Sequence, residues 1–215
     1  NKGLHNIQSS TMLVDLCDKI SIKKIKKKKD EIIFIGPFKK NIKSNINTVT
    51  EALLILRSQN FVSHQKRYKI VINKRIPVFA GLGGGTGNAA AIIKYFLKNK
   101  ISSKLLELFE EKIGSDLRLF FLNHSFQMNL KKIKTFKKKY KFYFLLFYPN
   151  IKSSTKEVYS KVKKFNLPLA IDPSKISSND KYNKFLMNEA NDLQMIVEKK
   201  HKKIQIILNL IKTQK

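Results

Sequence analysis

The chain lacks most of what would mark a secreted, metal-stapled or membrane-spanning protein. It has one cysteine, Cys17, which excludes a disulfide framework and a thiolate metal site and predicts a small buried hydrophobe at that position. Its four histidines, His5, His64, His124 and His201, show neither H-x-x-x-H spacing nor an adjoining carboxylate cluster, which argues against zinc. Tryptophan is absent and proline is scarce. No secretory signal is visible, and the longest apolar run, Phe142 to Tyr148, is far short of the roughly 20 residues that cross a bilayer. These absences predict a soluble, cytoplasmic protein with no membrane partner.

Acidic residues are also few: 15 Asp and Glu stand against 44 Lys and Arg, for a formal net charge of +29. Such a balance raises nucleic acid as a partner. The excess is nearly all lysine, however, and it accompanies abundant Asn and Ile, as compositional drift over a whole surface would produce. Arginine, the residue that reads base edges in forks, is rare. A basic nucleic-acid-binding domain stays as a rival reading, but no specific nucleic acid is expected. What is present is a core: 42% of the residues are hydrophobic and 10% aromatic, too many for a disordered chain.

Local patterns give a mixed α and β order. Met12 to Leu16, Asp18 to Ile25 and Glu31 to Gly36 read as β segments, with Lys26 to Lys29 as a solvated hairpin tip between the last two. Asn47 to Arg57 has helical spacing with Asn47 or Thr48 as cap, and Tyr68 to Ile76 alternates as a half-buried strand does. Ala89 to Lys98 is apolar around most of its circumference and predicts a buried helix. Lys104 to Lys112 predicts a second helix, ended by Gly114. Beyond a basic stretch, Lys131 to Lys141, come a strand at Phe142 to Tyr148, a helix at Ser154 to Lys163 and a helical region from Lys184 to Ile211. The basic stretch is the candidate boundary between two subdomains.

Most of the eight glycines fall in Pro77, Val78, Phe79, Ala80, Gly81, Leu82, Gly83, Gly84, Gly85, Thr86, Gly87 and Asn88, between a strand and a buried helix. Glycines there let the backbone approach an anion closely, and the helix N-terminus offers unpaired N–H groups and a favourable dipole. A Gly-rich turn that merely packs a strand tightly on a helix is the blander alternative. There is no Gly-Lys-Ser/Thr triplet, so this is not a Walker loop. The G-x-G-x-x-G spacing also fails, ending on Thr86 or Asn88 according to register.

This loop, with the Ala89-Ala90 that follows, resembles the phosphate-loop motif of the GHMP kinases. Within that family the likeness is to the members acting on cytidine diphosphate methylerythritol in the non-mevalonate isoprenoid route. Gly3-Leu4-His5, Asp15 to Ile20, Asn47 and Gly114-Ser115-Asp116 resemble further family segments in the same order. The family's second loop hydroxyl is Gly87 here, its aromatic neighbour of the histidine is Leu4, and Arg118 stands in place of a proline.

The resemblance implies an α+β fold of two subdomains: a ribosomal-protein-S5-like α/β domain over 1–130 and an incomplete ferredoxin-like domain over 131–215. It implies an ATP- and Mg²⁺-dependent phosphotransferase, monomeric or weakly dimeric, with a small-molecule alcohol as acceptor. ATP would be bound by residues 77–88 and by Asn47, which could equally be only a helix cap. Thr86 is the candidate Mg²⁺ ligand. Asp116 would be catalytic and touch substrate, its alternative being a helix N-cap before Leu117. His5 would hold the cytosine end, its alternative being a surface or capping histidine. A homoserine- or mevalonate-type kinase is the nearer rival. The likeness starts after a family strand that carries a lysine and stops before a late Gly-rich segment, so the chain is expected to be trimmed at both ends.

Overall fold

The computed structural model describes residues 7–40, 42–98, 100–129, 132–138, 140–151, 153, 155–163 and 167–213. The chain forms two compact units. One holds Thr11–Val78 and Leu82–Asn123, and the other holds the N-terminal residues to Ser10, Phe79–Gly81 and the chain from His124 onward.

In chain order the described elements begin with β1 (Ser9–Met12), β2 (Lys19–Ile25), β3 (Glu31–Ile35), α1 (Thr48–Ser58) and β4 (Arg67–Asn73). They continue with α2 (Gly84–Leu97), α3 (Ser103–Ile113) and a 3₁₀ turn, Leu117–Phe121. In the first unit β4 is the centre of a mixed sheet, antiparallel to β2 and parallel to β3. Register sets two apolar rows across it, Ile20–Ile72–Phe34 and Ile22–Ile70–Ile32. Because strand side chains alternate, both rows lie on one face. Val49, Ala52, Leu53 and Leu56 of α1 and Ala89, Ala90, Ile92 and Ile93 of α2 join that core. Each of the larger of these side chains, Val, Leu, Ile or Phe, stabilises the fold by about 1.5–3 kcal/mol when fully buried.

The connection from β3 to β4 is a parallel crossover through α1. Asp30 pins it: its carboxylate accepts from Arg57 of α1 at 2.8 and 2.9 Å and from the Tyr68 amide of β4 at 2.7 Å. The expected hairpin of β2 and β3 is therefore wrong. β4 lies between them, and residues 26–30 are a five-residue link joining two strands that are not neighbours in the sheet. The expected strand at Met12 to Leu16 is displaced to β1, and Leu13, Val14 and Leu16 are exposed. Cys17, expected to be buried, is exposed.

The second unit contains β5 (His124–Gln127) and β6 (Ile133–Thr135), an antiparallel pair in a sheet of order β1-β5-β6. Its helices are α4 (Thr155–Ser160), α5 (Asn179–Asn188), α6 (Gln194–Lys200) and α7 (Lys202–Lys212), with a short 3₁₀ turn at Pro173–Lys175. An aromatic cluster organises it. His124 stacks on Phe136 with ring centroids 3.7 Å apart, Tyr140 stacks on Tyr182 at 4.5 Å, and His124 Nε2 lies 3.0 Å from the Tyr182 hydroxyl.

Phe142 to Tyr148 forms no strand. Its β propensity is high, but a strand needs a hydrogen-bonded neighbour, and propensity yields to context. The single helical region expected from Lys184 to Ile211 is three helices, broken again at His201; between the first two the Asn191 side chain accepts from the Leu193 amide at 3.0 Å and competes with the helical pattern. Among the described residues no helix is long and apolar enough to cross a membrane.

Candidate active site

The glycine run does more than precede the buried helix. α2 starts at Gly84, earlier than the apolar pattern from Ala89 indicates, so Gly84, Gly85 and Gly87 are its first turn. Gly83 is the N-cap, in the left-handed region at φ 64°, and no side chain caps the helix. That backbone favours glycine, and a Cβ there would also stand 2.6 Å from the Phe120 ring. Gly81 and Phe79 are likewise left-handed, at φ 72° and 59°. Gly81, Leu82 and Gly85 are exposed, whereas Pro77 and Asn88 are buried. The result is an uncapped helix N-terminus at the surface with backbone in place of side chains, the arrangement that favours an anion.

Asn47 is the N-cap of α1. Its Oδ1 accepts from the Val49 and Thr50 amides at 3.0 Å, and its Nδ2 donates to the Lys43 and Ser44 carbonyls at 3.0 Å. The next residue ties α1 to the loop, because Thr48 Oγ1 donates to the Gly85 carbonyl at 2.7 Å.

Asp116 is the N-cap residue of the 3₁₀ turn, yet its side chain makes no capping bond. It faces the loop instead, with Oδ1 3.4 Å from Thr86 Oγ1. Burial pushes this carboxyl above the ordinary Asp value of 3.8, partly opposed by the Thr86 hydroxyl and reinforced by the charge of Glu110. The turn carrying it is clamped from two helices. Arg118 forms an ion pair with Glu110 of α3, and Lys94 of α2 donates to the Phe120 carbonyl at 2.6 Å. Phe120 floors the loop: a Cβ on Gly87 would lie 2.9 Å from its ring. The glycine that replaces the family's second hydroxyl is thus the residue this ring leaves room for.

His5 lies outside the described residues. Sequence reasoning missed Phe120, Lys94 and a buried Asp18–Lys74 pair beside Asn88. The available signal for Asp18 was its place at the mouth of a strand in a chain so poor in carboxylates.

The signature described as GHMP kinases N terminal domain matches residues 47–117, which span the cap of α1, the loop and Asp116. The 4-diphosphocytidyl-2-C-methyl-D-erythritol kinase of Pelagibacter ubique (strain HTCC1062) is 37% identical over 214 residues, covering 96% of this chain and 74% of that protein. The chain belongs to the 4-diphosphocytidyl-2-C-methyl-D-erythritol kinase family. A second member of this kinase family, from Buchnera aphidicola subsp. Schizaphis graminum (strain Sg), is 30% identical over 220 residues, with 97% and 71% of the two chains covered. The crystal structure of a 4-(cytidine 5'-diphospho)-2C-methyl-D-erythritol kinase shares the fold, at TM-score 0.62 and 19% identity over 96% of this chain and 73% of that one. The α+β fold and the membership expected from the loop are both borne out.

Proposed function

We propose that this chain transfers the terminal phosphoryl group of ATP to the 2-hydroxyl of 4-diphosphocytidyl-2-C-methyl-D-erythritol, in the cytoplasm. The observation that carries the reading is the meeting of Asp116 with Thr86 at the uncapped start of α2. Phosphoryl transfer asks for positioning, charge neutralisation and a route for the proton of the attacking hydroxyl. Gly83, Gly84 and Gly85 offer main-chain amides and the positive end of the helix dipole to the phosphates. Asp116 accepts the hydroxyl proton, and its raised pKa makes it a better base than an ordinary aspartate once ionised.

The Thr86 hydroxyl is a hard oxygen donor of the kind magnesium takes, and it is the side chain that would hold the ion beside the phosphates. A bound magnesium ion supplies charge neutralisation there. The identity of the relatives favours the cytidylated alcohol over homoserine or mevalonate as acceptor.

Replacing Asp116 by Ala is the test. Turnover should fall by about 10²- to 10⁴-fold while ATP binding, read by titration calorimetry, changes little. In the parent enzyme the acid limb of kcat/KM should lie above pH 3.8, since burial raises this carboxyl and protonation removes the base. Unchanged turnover in the variant would remove Asp116 from the mechanism.

A further inference from the structure

Beneath the loop lies an ion pair that the chemistry above does not use. Lys74 Nζ donates to Asp18 Oδ2, and the two side chains are 3% and 0% exposed. Asp18 Oδ1 also accepts from the amides of Arg75 at 2.7 Å and Ile76 at 2.9 Å, and Oδ2 accepts from Asn88 Nδ2 at 2.9 Å. One carboxylate therefore collects donors from the segment leaving β4 and from the first turns of α2.

A buried pair of this kind is weak evidence for stability, because desolvating both charges offsets most of their attraction. What such a pair does well is fix geometry, since each donor must point at the same two oxygens. Here the fixed parts all border the loop. Arg75 and Ile76 lead directly into Pro77, and Asn88 sits one helical turn beyond Gly84. A Cβ on Gly84 would stand 3.3 Å from Lys74 Nζ, so the ammonium lies against the helix start itself. The rotation of that first turn, and with it the aim of the Gly83 to Gly85 amides, depends on the bond from Asn88 to Asp18.

We propose that Asp18 is a positioning residue for the nucleotide phosphates: with Lys74 and Asn88 it sets the aim of the α2 N-terminus, so its loss weakens nucleotide binding without slowing the proton transfer at Asp116. This inference rests on the kinase reading above.

The experiment measures ATP affinity by calorimetry, with steady-state kinetics, on the full chain and on Asp18→Asn, at a temperature where circular dichroism shows both folded. The Kd and KM for ATP should rise by about 10- to 100-fold in the variant, with kcat at saturating ATP and KM for the alcohol substrate within about threefold of the parent. A purely structural role predicts a lower Tm with unchanged ATP affinity, and that result overturns the proposal. So does a uniform loss of every kinetic parameter. Should Asp18→Asn not fold, Lys74→Met decides the matter, since it removes the ammonium from Asp18 and leaves residues 77–88 intact. It should raise the ATP Kd by about three- to tenfold, and an unchanged Kd refutes the proposal. Parent chain that binds no ATP overturns the kinase reading as well, whereas parent binding with unaltered variants overturns the positioning role alone.

Discussion

The two units of this chain spend similar residues differently. In the first, the isoleucines of three strands are matched row by row and covered by two helices, so Ile70 and Ile72 are 0% exposed. In the second, rings gather around His124 and Tyr182, while the adjoining run Tyr143 to Tyr148 leaves large apolar side chains in water, Leu145 at 82% exposure. Hydrophobicity is as high in that run as in β4. What differs is whether neighbouring strands are hydrogen-bonded alongside it. Asn47, Thr86 and Asp116 stand on the layered unit, where backbone direction is fixed from both sides.

Three substitutions probe that contrast, from the largest expected effect to the smallest. Ile72→Ala removes a side chain from the middle of a cross-strand row and should cost about 2–5 kcal/mol in chemical denaturation. A loss below about 1 kcal/mol would show that the sheet is not the rigid platform described here. Gly84→Val tests function within the same platform. Its Cβ would lie 3.0 Å from Ile76 and 3.3 Å from the Lys74 ammonium, and the branched side chain would crowd the phosphate path. ATP affinity should fall by at least about tenfold, equivalent to about 1.4 kcal/mol, and calorimetry giving the parent value would remove the glycine run from nucleotide binding. At the other extreme, Leu145→Ser should change the denaturation midpoint by no more than about 0.5 kcal/mol. A large destabilisation would mean that this run is packed in solution.

How much could be read in advance follows the same division between local and distant causes. α1 with its Asn47 cap, α3 with Gly114 at its end, and β4 with its alternation are specified within a few residues, and all three stand close to where the pattern puts them. The pairing of β2 with β4 was not legible, because a lysine run between β2 and β3 looks like a hairpin until a strand more than thirty residues later is placed between them. The start of α2 was hidden by glycine's poor helix propensity, which tertiary contacts override. At the candidate site, the loop stood out by its glycines, whereas Asp116 stood out only through the family resemblance, its own pattern reading equally as a helix cap. Asp18 and Lys74 did not, being 56 residues apart in a chain where one more lysine carries no information.

The ring of Phe120 limits what position 87 can carry. Since Gly87 and Phe120 share one volume, neither position is free to drift alone. An alcohol side chain engineered at position 87 would therefore call for a smaller residue at 120, or for a turned ring, to make room.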